Sequence, residues 1–178
     1  MKTKIILIIG PSGVGKDTLL KCAKETLKND NNFNFVKRYI TREPDNNEMN
    51  FYVKPNAFEI LKQNEHFVST WEAHENKYAI AKDCIEQKTN IISISRGNIK
   101  DFEEHFNNVT TIHITIPKDI LRQRLIKRDR ESIEDIEKRI ARTYEKIEAK
   151  NLIDFKNIDS IEESSKKFLE LLKSINNG

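Results

Sequence analysis

A stretch near the start of the chain has the spacing of a phosphate-binding loop. Residues 10–20 read GPSGVGKDTLL and follow the pattern G-x-x-x-x-G-K-[ST] as far as the lysine. Glycines allow backbone angles that other residues resist and let the chain approach an oxyanion closely. Successive N–H groups and the N-terminus of a following helix then point at phosphate, and the lysine reaches the β and γ phosphates. We expect this nucleotide-phosphate site to contain Gly10, Pro11, Ser12, Gly13, Val14, Gly15, Lys16, Asp17 and Thr18.

The residue after the lysine departs from the pattern, because Asp17 stands where a hydroxyl normally helps to hold magnesium. As a first-turn acid, Asp17 would favour the helix dipole and take no part in chemistry. As a magnesium ligand, direct or through water, it would share a cation with ATP phosphates that it otherwise repels. Many phosphate-loop enzymes hold the metal with an acid on another core strand, but the candidate strand NIISIS has none. Our hypothesis is that Asp17 supplies this carboxylate, with ATP and Mg²⁺ as cofactors.

The loop needs a strand before it and a helix after it, and the sequence provides both. The short apolar run Lys4–Ile9 is typical of a buried parallel strand, and residues 16–28 have helical periodicity. Strands are also predicted at 35–40, 90–95, 110–116 and 152–157, with helices starting at Pro117, running through Ile136, Ile140, Tyr144 and Ile147, and covering 161–175. This alternation predicts an α/β fold, the three-layer phosphate-loop NTPase fold with a parallel sheet.

Residues 41–80 break the alternation, with a polar, turn-rich start, a short helix through Phe58 and Leu61, and the edge strand HFVSTWEAH. A chain of 178 residues is long enough for one domain with a full core. We predict a single domain over 1–178, with a core at 1–40 and 81–178 and an insert at about 41–80 beside the main sheet.

The composition of the chain indicates which classes of binding partner and which cellular location to expect. The formal net charge is +3 and the basic residues are spread along the chain, which favours a small anionic partner over nucleic acid. Cys22 and Cys84 lie far apart, as expected of two reduced thiols. No apolar run suits a signal peptide or a membrane span, so we expect a cytoplasmic protein with no membrane partner. The oligomeric state, monomer or homodimer, stays open.

Four segments, in this order and spacing, resemble the guanylate-kinase-like group of small kinases: GPSGVGKDTLL, RYITRE, WEAHENKYAI and LRQRLIKRDRES. The resemblance runs from Lys4 to about Leu172. Within the group the chain most resembles the ribose 1,5-bisphosphate phosphokinases, through the G-K-D loop, RYITR and the W-x-A-H-x-x-x-Y block. That resemblance implies phosphorylation of ribose 1,5-bisphosphate to 5-phosphoribosyl diphosphate (PRPP) in phosphonate breakdown.

Departures from guanylate kinase support this choice. The guanylate kinase pattern T-T-R-x-P-R, followed by G-E and a D-Y pair, clamps a nucleotide monophosphate. Here ITREPD keeps Arg42 but has Asp45 in place of the second arginine, and Asn50 falls near the clamping tyrosine's place. The planar fork of an arginine suits phosphate, which an aspartate opposes. Glu72 favours guanylate kinase instead, since it lies where guanylate kinases recognise the guanine base. A carboxylate at that position could equally accept hydrogen bonds from ribose hydroxyls.

The resemblance also implies that residues 1–178 form a single kinase domain whose insert at about 41–80 takes part in an acceptor site. We expect the acceptor site to contain Arg42, Glu72, Tyr78 and Arg96. Arg42 would contact a phosphate, Tyr78 would offer a hydroxyl, and Arg96 follows a strand at the edge where parallel α/β sheets bind ligands. Trp71 is expected in the core or in a pocket wall, and both a structural and a functional role stay open for His74.

The arginine-rich segment Arg122–Arg142 resembles the lid of this group, which closes over ATP. Charge spreads over the phosphoryl oxygens in the transition state, and water must be excluded to prevent hydrolysis of ATP. In this helical lid, at about residues 124–142, we expect Arg128 and Arg139 to act in catalysis together with Lys16. Arg124 and Arg130 are expected behind them, with Arg124 at the nucleotide.

The sequence thus predicts an ATP- and magnesium-dependent kinase whose preferred acceptor is ribose 1,5-bisphosphate. The first alternative is guanylate kinase, which uses GMP. The second is a nucleotide-binding module without catalysis, which the retained Lys16 and lid arginines disfavour.

Overall fold

The computed structural model describes residues 2–43, 50–73, 75–128, 132–143 and 146–178, without the side chains of Arg128, Arg139, Arg142 and Thr143. Within these residues the strands are β1 (Lys4–Ile9), β2 (Phe33–Phe35), β3 (Tyr39–Ile40), β4 (Phe51–Tyr52), β5 (Phe67–Ala73), β6 (Asn76–Ala81), β7 (Thr89–Ser93), β8 (Val109–Thr115) and β9 (Leu152–Lys156). The helices are α1 (Lys16–Thr26), α2 (Pro55–Gln63), α3 (Ile99–His105), α4 (Lys118–Arg128), α5 (Ile133–Thr143) and α6 (Ile161–Asn177), and 3₁₀ turns cover Lys82–Cys84 and Arg96–Asn98. No helix in these ranges has the length and apolar character needed to cross a bilayer.

A five-stranded sheet has the order β2-β7-β1-β8-β9. The pairs β2 with β7 and β8 with β9 are parallel. Strand β1 is buried over Ile5–Ile9, as expected of an apolar strand covered on both faces. The prediction of an α/β fold with a parallel sheet is confirmed.

A four-stranded sheet has the order β4-β3-β6-β5. Strands β5 and β6 form an antiparallel hairpin, and β5 lies at the edge of this sheet, as the sequence predicts. Helix α2 covers one face, where Phe58 and Phe67 form the core with Ala79 and Ala81. The ring centroids of Phe58 and Phe67 are 5.0 Å apart.

The chain divides into two compact units. The first unit consists of Met1–Leu7 and Asn31–Thr110, and the second of Ile8–Asp30 and Thr111–Gly178. In the first unit α3 packs on β5. In the second unit α1 packs on α6, and β9 joins this core through Phe155, whose ring meets that of Phe168 edge-on at 5.4 Å. The functional division into core, insert and lid stays a prediction.

Three predicted element boundaries are corrected. The strand expected at 35–40 is two strands in different sheets, β2 and β3, because residues 36–38 change partners from Ile91 to Phe51. The carbonyl of Pro117 accepts the Leu121 N–H, so Pro117 precedes α4 instead of forming its first residue. Ile147, expected on the helix through Ile140, lies in irregular backbone outside α5, and Tyr144 lies outside the described residues.

Candidate active site

The phosphate loop joins β1 to α1 within the second unit. Gly15 is the N-cap residue of α1 with φ of 89°, and no side chain caps the helix there. The first N–H groups of a helix have no intrahelical partner, and the helix N-terminus attracts anions. Lys16 begins the helix, and its side chain is 16% exposed. This backbone geometry suits the phosphates of a nucleotide, as the sequence predicts.

Two glycines are required by close approaches of the loop to its neighbours. A Cβ on Gly10 would lie 2.8 Å from the Ile114 carbonyl oxygen. A Cβ on Gly15 would lie 2.5 Å from Nδ2 of Asn157, and the left-handed φ would strain any side chain at that position. These positions therefore need glycine for steric reasons in addition to their approach to phosphate.

Asn157 holds the phosphate loop from outside it, a role that the sequence does not reveal. Its side chain donates from Nδ2 to the Val14 carbonyl at 2.7 Å, and the residue is only 9% exposed. The Asn157 N–H also donates to the Thr115 carbonyl at 2.8 Å, which fixes the residue at the end of β9. The only signal in the sequence is its place at the end of the strand predicted at 152–157.

Arg124, expected at the nucleotide, lies on α4 in the same unit as the loop. Its Nη1 donates to the Gly13 carbonyl at 3.4 Å. The two helices around the predicted lid are tied together by an ion pair between Arg122 of α4 and Glu137 of α5. The side chains of Arg128 and Arg139, like all of Arg130, lie outside the described residues.

Asp17 lies in the first turn of α1 with its side chain 82% exposed, and its Oδ1 is 3.6 Å from Lys16 Nζ. Among the described residues, no three His, Cys, Asp or Glu side chains gather to hold a metal ion. Magnesium is commonly held by one or two carboxylates together with substrate phosphates and water. A single exposed carboxylate beside the phosphate loop fits that mode and does not fit an all-protein metal site.

The acceptor residues predicted from the sequence lie in the first unit, where an aromatic stack covers part of one face of the four-stranded sheet. Tyr78 of β6 stacks on Trp71 of β5, with ring centroids 5.6 Å apart and planes 7° apart. The guanidinium carbon of Arg38 lies 5.7 Å from the Tyr78 ring centroid. Tyr78 is 8% exposed, so its ring packs in this stack. We call Arg38, Trp71 and Tyr78 the aromatic face.

Glu72 lies on the opposite face of this sheet. It pairs with Lys77 across the hairpin, one residue along from the Trp71–Tyr78 pair, and successive side chains of a strand point to opposite faces. Lys77 binds Glu59 of α2 at 2.5 Å, and Glu72 Oε1 is 4.0 Å from Lys77 Nζ. The bond from Lys77 lowers the pKa of Glu59, and the same bond raises the pKa of Lys77. The structure thus separates Glu72 from Tyr78, although the sequence places both in the acceptor site.

Arg96 begins the 3₁₀ turn that follows β7, three residues after the strand ends. Asn98, in the same turn, donates from Nδ2 to Ser69 Oγ, to the Thr70 carbonyl and to Asp101 Oδ2, each at 3.0 Å. Ser69 in turn donates to Asp101. These bonds fasten the turn of Arg96 to strand β5 on the side of α3.

Arg42 follows β3, and its side chain is exposed. The preceding residue, Thr41, is fixed to β6, because its N–H donates to the Lys77 carbonyl and its hydroxyl accepts the Lys77 N–H. The backbone position of Arg42 is therefore restrained by the two hydrogen bonds of the residue before it. Asp45 and His74 lie outside the described residues.

The guanylate kinase family model matches residues 2–175, and the chain belongs to the guanylate kinase family. A solved guanylate kinase from Anaplasma phagocytophilum superposes with a TM-score of 0.66 and 19% identity, covering 99% of this chain and 87% of that one. At this identity the likeness shows the fold.

Curated relatives narrow the comparison within the family. A ribose 1,5-bisphosphate phosphokinase of Bradyrhizobium diazoefficiens is 31% identical over 175 residues, which cover 96% of this chain and 88% of the relative. A second one, from Psychromonas ingrahamii, is also 31% identical and covers 97% of this chain and 91% of its own length. The resemblance to guanylate-kinase-like enzymes, and to these phosphokinases among them, is confirmed.

Proposed function

We propose that the protein is an ATP-dependent kinase that phosphorylates ribose 1,5-bisphosphate to PRPP. The observation that carries the proposal is the match to ribose 1,5-bisphosphate phosphokinases over nearly the whole of both chains. A phosphate loop with a left-handed glycine and an uncapped helix N-terminus supports the nucleotide half of the reaction. The cytoplasmic location stays a prediction, and the oligomeric state stays open.

The proposed phosphoryl transfer needs no general acid–base catalysis by the protein. An oxygen of the acceptor's 1-phosphate attacks the γ-phosphorus of ATP, and the new P–O bond forms as the bond to the β–γ bridging oxygen breaks. ADP leaves with the electron pair of that bond. Because the attacking oxygen is already anionic at neutral pH, no general base is needed, and positioning and charge stabilisation carry the catalysis.

The second unit supplies the groups for the nucleotide. The backbone N–H groups of the loop residues that have one, from Ser12 to Lys16, would hold the phosphates, and Lys16 would neutralise charge on the β and γ phosphates. We propose that Arg128 and Arg139 stabilise the transferring phosphoryl group, as the sequence predicts. Asp17 would hold Mg²⁺, which when bound neutralises charge on the phosphates.

A coupled assay of ADP release with purified protein tests the function, using ribose 1,5-bisphosphate and GMP as rival acceptors. We expect kcat/KM for ribose 1,5-bisphosphate to exceed that for GMP by at least about 100-fold, as differential binding allows. The product should show a diphosphate signal in ³¹P NMR. Efficient turnover of GMP alone would overturn the proposed acceptor. ATP binding without turnover of either acceptor would instead support a non-catalytic module.

A further inference from the structure

Arg38 lies on the aromatic face, and it is not among the site residues predicted from the sequence. Its guanidinium carbon lies 5.7 Å from the centroid of the Tyr78 ring, within the range of a cation–π contact. Its Nε donates to Asn50 Oδ1 at 3.5 Å, and its carbonyl accepts the Phe51 N–H at 2.8 Å. The ring face and the bond from Nε together restrict the direction of the planar guanidinium.

The partner of Arg38 is one of the residues by which this chain departs from guanylate kinase. Asn50 stands near the place of the clamping tyrosine, and Asp45 replaces the second clamping arginine. The structure brings Asn50 to the arginine that precedes β3, so one altered clamp position now orients a different arginine. Relative to guanylate kinases, this chain lacks the second clamping arginine after β3, where it has Asp45. It has Arg38 directly before β3.

The proposed acceptor has a greater need for such a group than a nucleoside monophosphate has. Ribose 1,5-bisphosphate carries a phosphate at each end of a five-carbon sugar, each with a charge of about −1.5 to −2 at pH 7. A planar guanidinium can bind a phosphate group through two parallel hydrogen bonds, which adds geometric specificity to the attraction between the charges. The sugar between the phosphates presents C–H groups, which pack on aromatic rings such as the Trp71–Tyr78 stack.

We propose that Arg38 is a specificity residue that binds one phosphate group of the acceptor, in place of the second clamping arginine of guanylate kinases. This proposal rests on the proposed function and deepens it. It also assigns the aromatic face of the first unit, and not the face with Glu72, to the acceptor.

Steady-state kinetics of Arg38→Gln with ribose 1,5-bisphosphate test the proposal. We expect KM for the acceptor to rise about 10- to 100-fold, the loss that follows when hydrogen bonds to a charged group are removed. The value of kcat should fall less than KM rises, and KM for ATP should stay within about twofold of wild type. Arg38→Lys keeps the charge without the fork, so it should show an intermediate KM.

Competitive inhibition by ribose 1-phosphate and by ribose 5-phosphate identifies which phosphate is bound. In Arg38→Gln one of the two inhibitors should weaken about tenfold while the other stays within about threefold of wild type. Unchanged inhibition by both would overturn the proposal. Equal weakening of both would overturn it as well, because it would report a general charge effect or a loosened fold.

Lys37→Gln is the matched control, since it removes one positive charge from the adjacent residue, whose Nζ lies 5.1 Å from the Phe51 ring centroid. Its acceptor KM should stay near that of wild type, and an increase equal to that of Arg38→Gln would contradict the proposal. Melting temperatures of both variants show whether the fold is kept, and Arg38→Lys carries the test if Arg38→Gln unfolds. Failure of the proposed function would appear in wild type, as absent turnover of ribose 1,5-bisphosphate, and is therefore distinct from these outcomes.

Discussion

Asn157 shows how a single residue outside a motif can determine its geometry. The motif supplies the glycines and the lysine, but the carbonyl of Val14, in the middle of the loop, is held by a buried amide more than a hundred residues later in the chain. A buried carbonyl without a donor is costly, so this contact selects one conformation of the loop.

Asn157→Ala removes the donor to Val14 and leaves the bond from its own N–H to Thr115 in place. We expect KM for ATP to rise about 5- to 20-fold and the free energy of unfolding to fall by about 1–3 kcal/mol, because the Val14 carbonyl loses its donor in a buried site. ATP titrations of initial rate and urea unfolding measure the two effects.

Ser160→Ala separates the two effects. Ser160 caps α6 by accepting the Glu163 N–H, and its loss should cost about 1 kcal/mol of stability while KM for ATP stays unchanged. If Asn157→Ala behaves like Ser160→Ala, with lower stability and normal use of ATP, Asn157 does not position the loop.

Asp17 can be tested by its demand for metal. If it holds Mg²⁺, Asp17→Asn should raise the Mg²⁺ concentration for half-maximal activity by about 10-fold or more, the usual cost of losing a metal-site group. If it only complements the helix dipole, the change should cost about 0.3–1 kcal/mol of stability with no change in metal demand. Glu25→Gln, which removes an acid from the exposed surface of α1, is the control. Unchanged activity and metal demand in Asp17→Ala, which leaves no oxygen ligand in the side chain, would also refute the metal role.

At the scale of elements, the sequence predicts best where one physical pattern acts alone. The apolar run of β1 and the periodic faces of α1 and α6 lie where they are predicted, because each is buried along its length or along one face. The strand at 35–40 could not be divided correctly, since the short strands β2 and β3 take different partners that only the tertiary structure shows.

The candidate site likewise has a part that a local sequence pattern predicts and a part that depends on strand pairing. The phosphate loop can be predicted from the sequence because the residues expected to bind one ligand are consecutive in the chain. The aromatic face is not, because Arg38, Trp71 and Tyr78 come from three strands or strand ends whose register decides which side chains share a face. A shift of one residue in that register would exchange Tyr78 for Lys77.

The register of the hairpin makes a prediction about Glu72. Since Glu72 lies with Lys77 and Glu59 on the face covered by α2, Glu72→Gln should leave acceptor KM within about twofold of wild type, as surface changes usually do. Tyr78→Phe is the companion variant, because it keeps the ring and tests the hydroxyl alone. A tenfold rise of acceptor KM in Glu72→Gln would restore Glu72 to the acceptor site and contradict the assignment of faces.

At the scale of the molecule, the chain divides its tasks between two compact units, each built from two separate segments. The phosphate loop, Asn157 and Arg124 belong to the second unit, and the aromatic face with Arg38 and Arg96 belongs to the first. Because the chain passes between the units at Leu7, Asp30 and Thr110, neither unit is a continuous piece of sequence. Ligand effects on folding are therefore best measured on the full chain.

Thermal unfolding of the full chain with a non-hydrolysable ATP analogue measures nucleotide binding without catalysis. At an analogue concentration of about 100 times its Kd, binding should stabilise the folded state by about 2.7 kcal/mol. For a chain of this size that corresponds to a rise in melting temperature of about 5–10 °C. AMP, which lacks the β and γ phosphates that Lys16 is expected to contact, should give a much smaller rise at the same concentration. In Lys16→Met the difference between the analogue and AMP should shrink, because the positive charge that contacts the β and γ phosphates is gone while the loop N–H groups stay. An undiminished shift in Lys16→Met would mean that the nucleotide phosphates bind elsewhere than at the loop after β1.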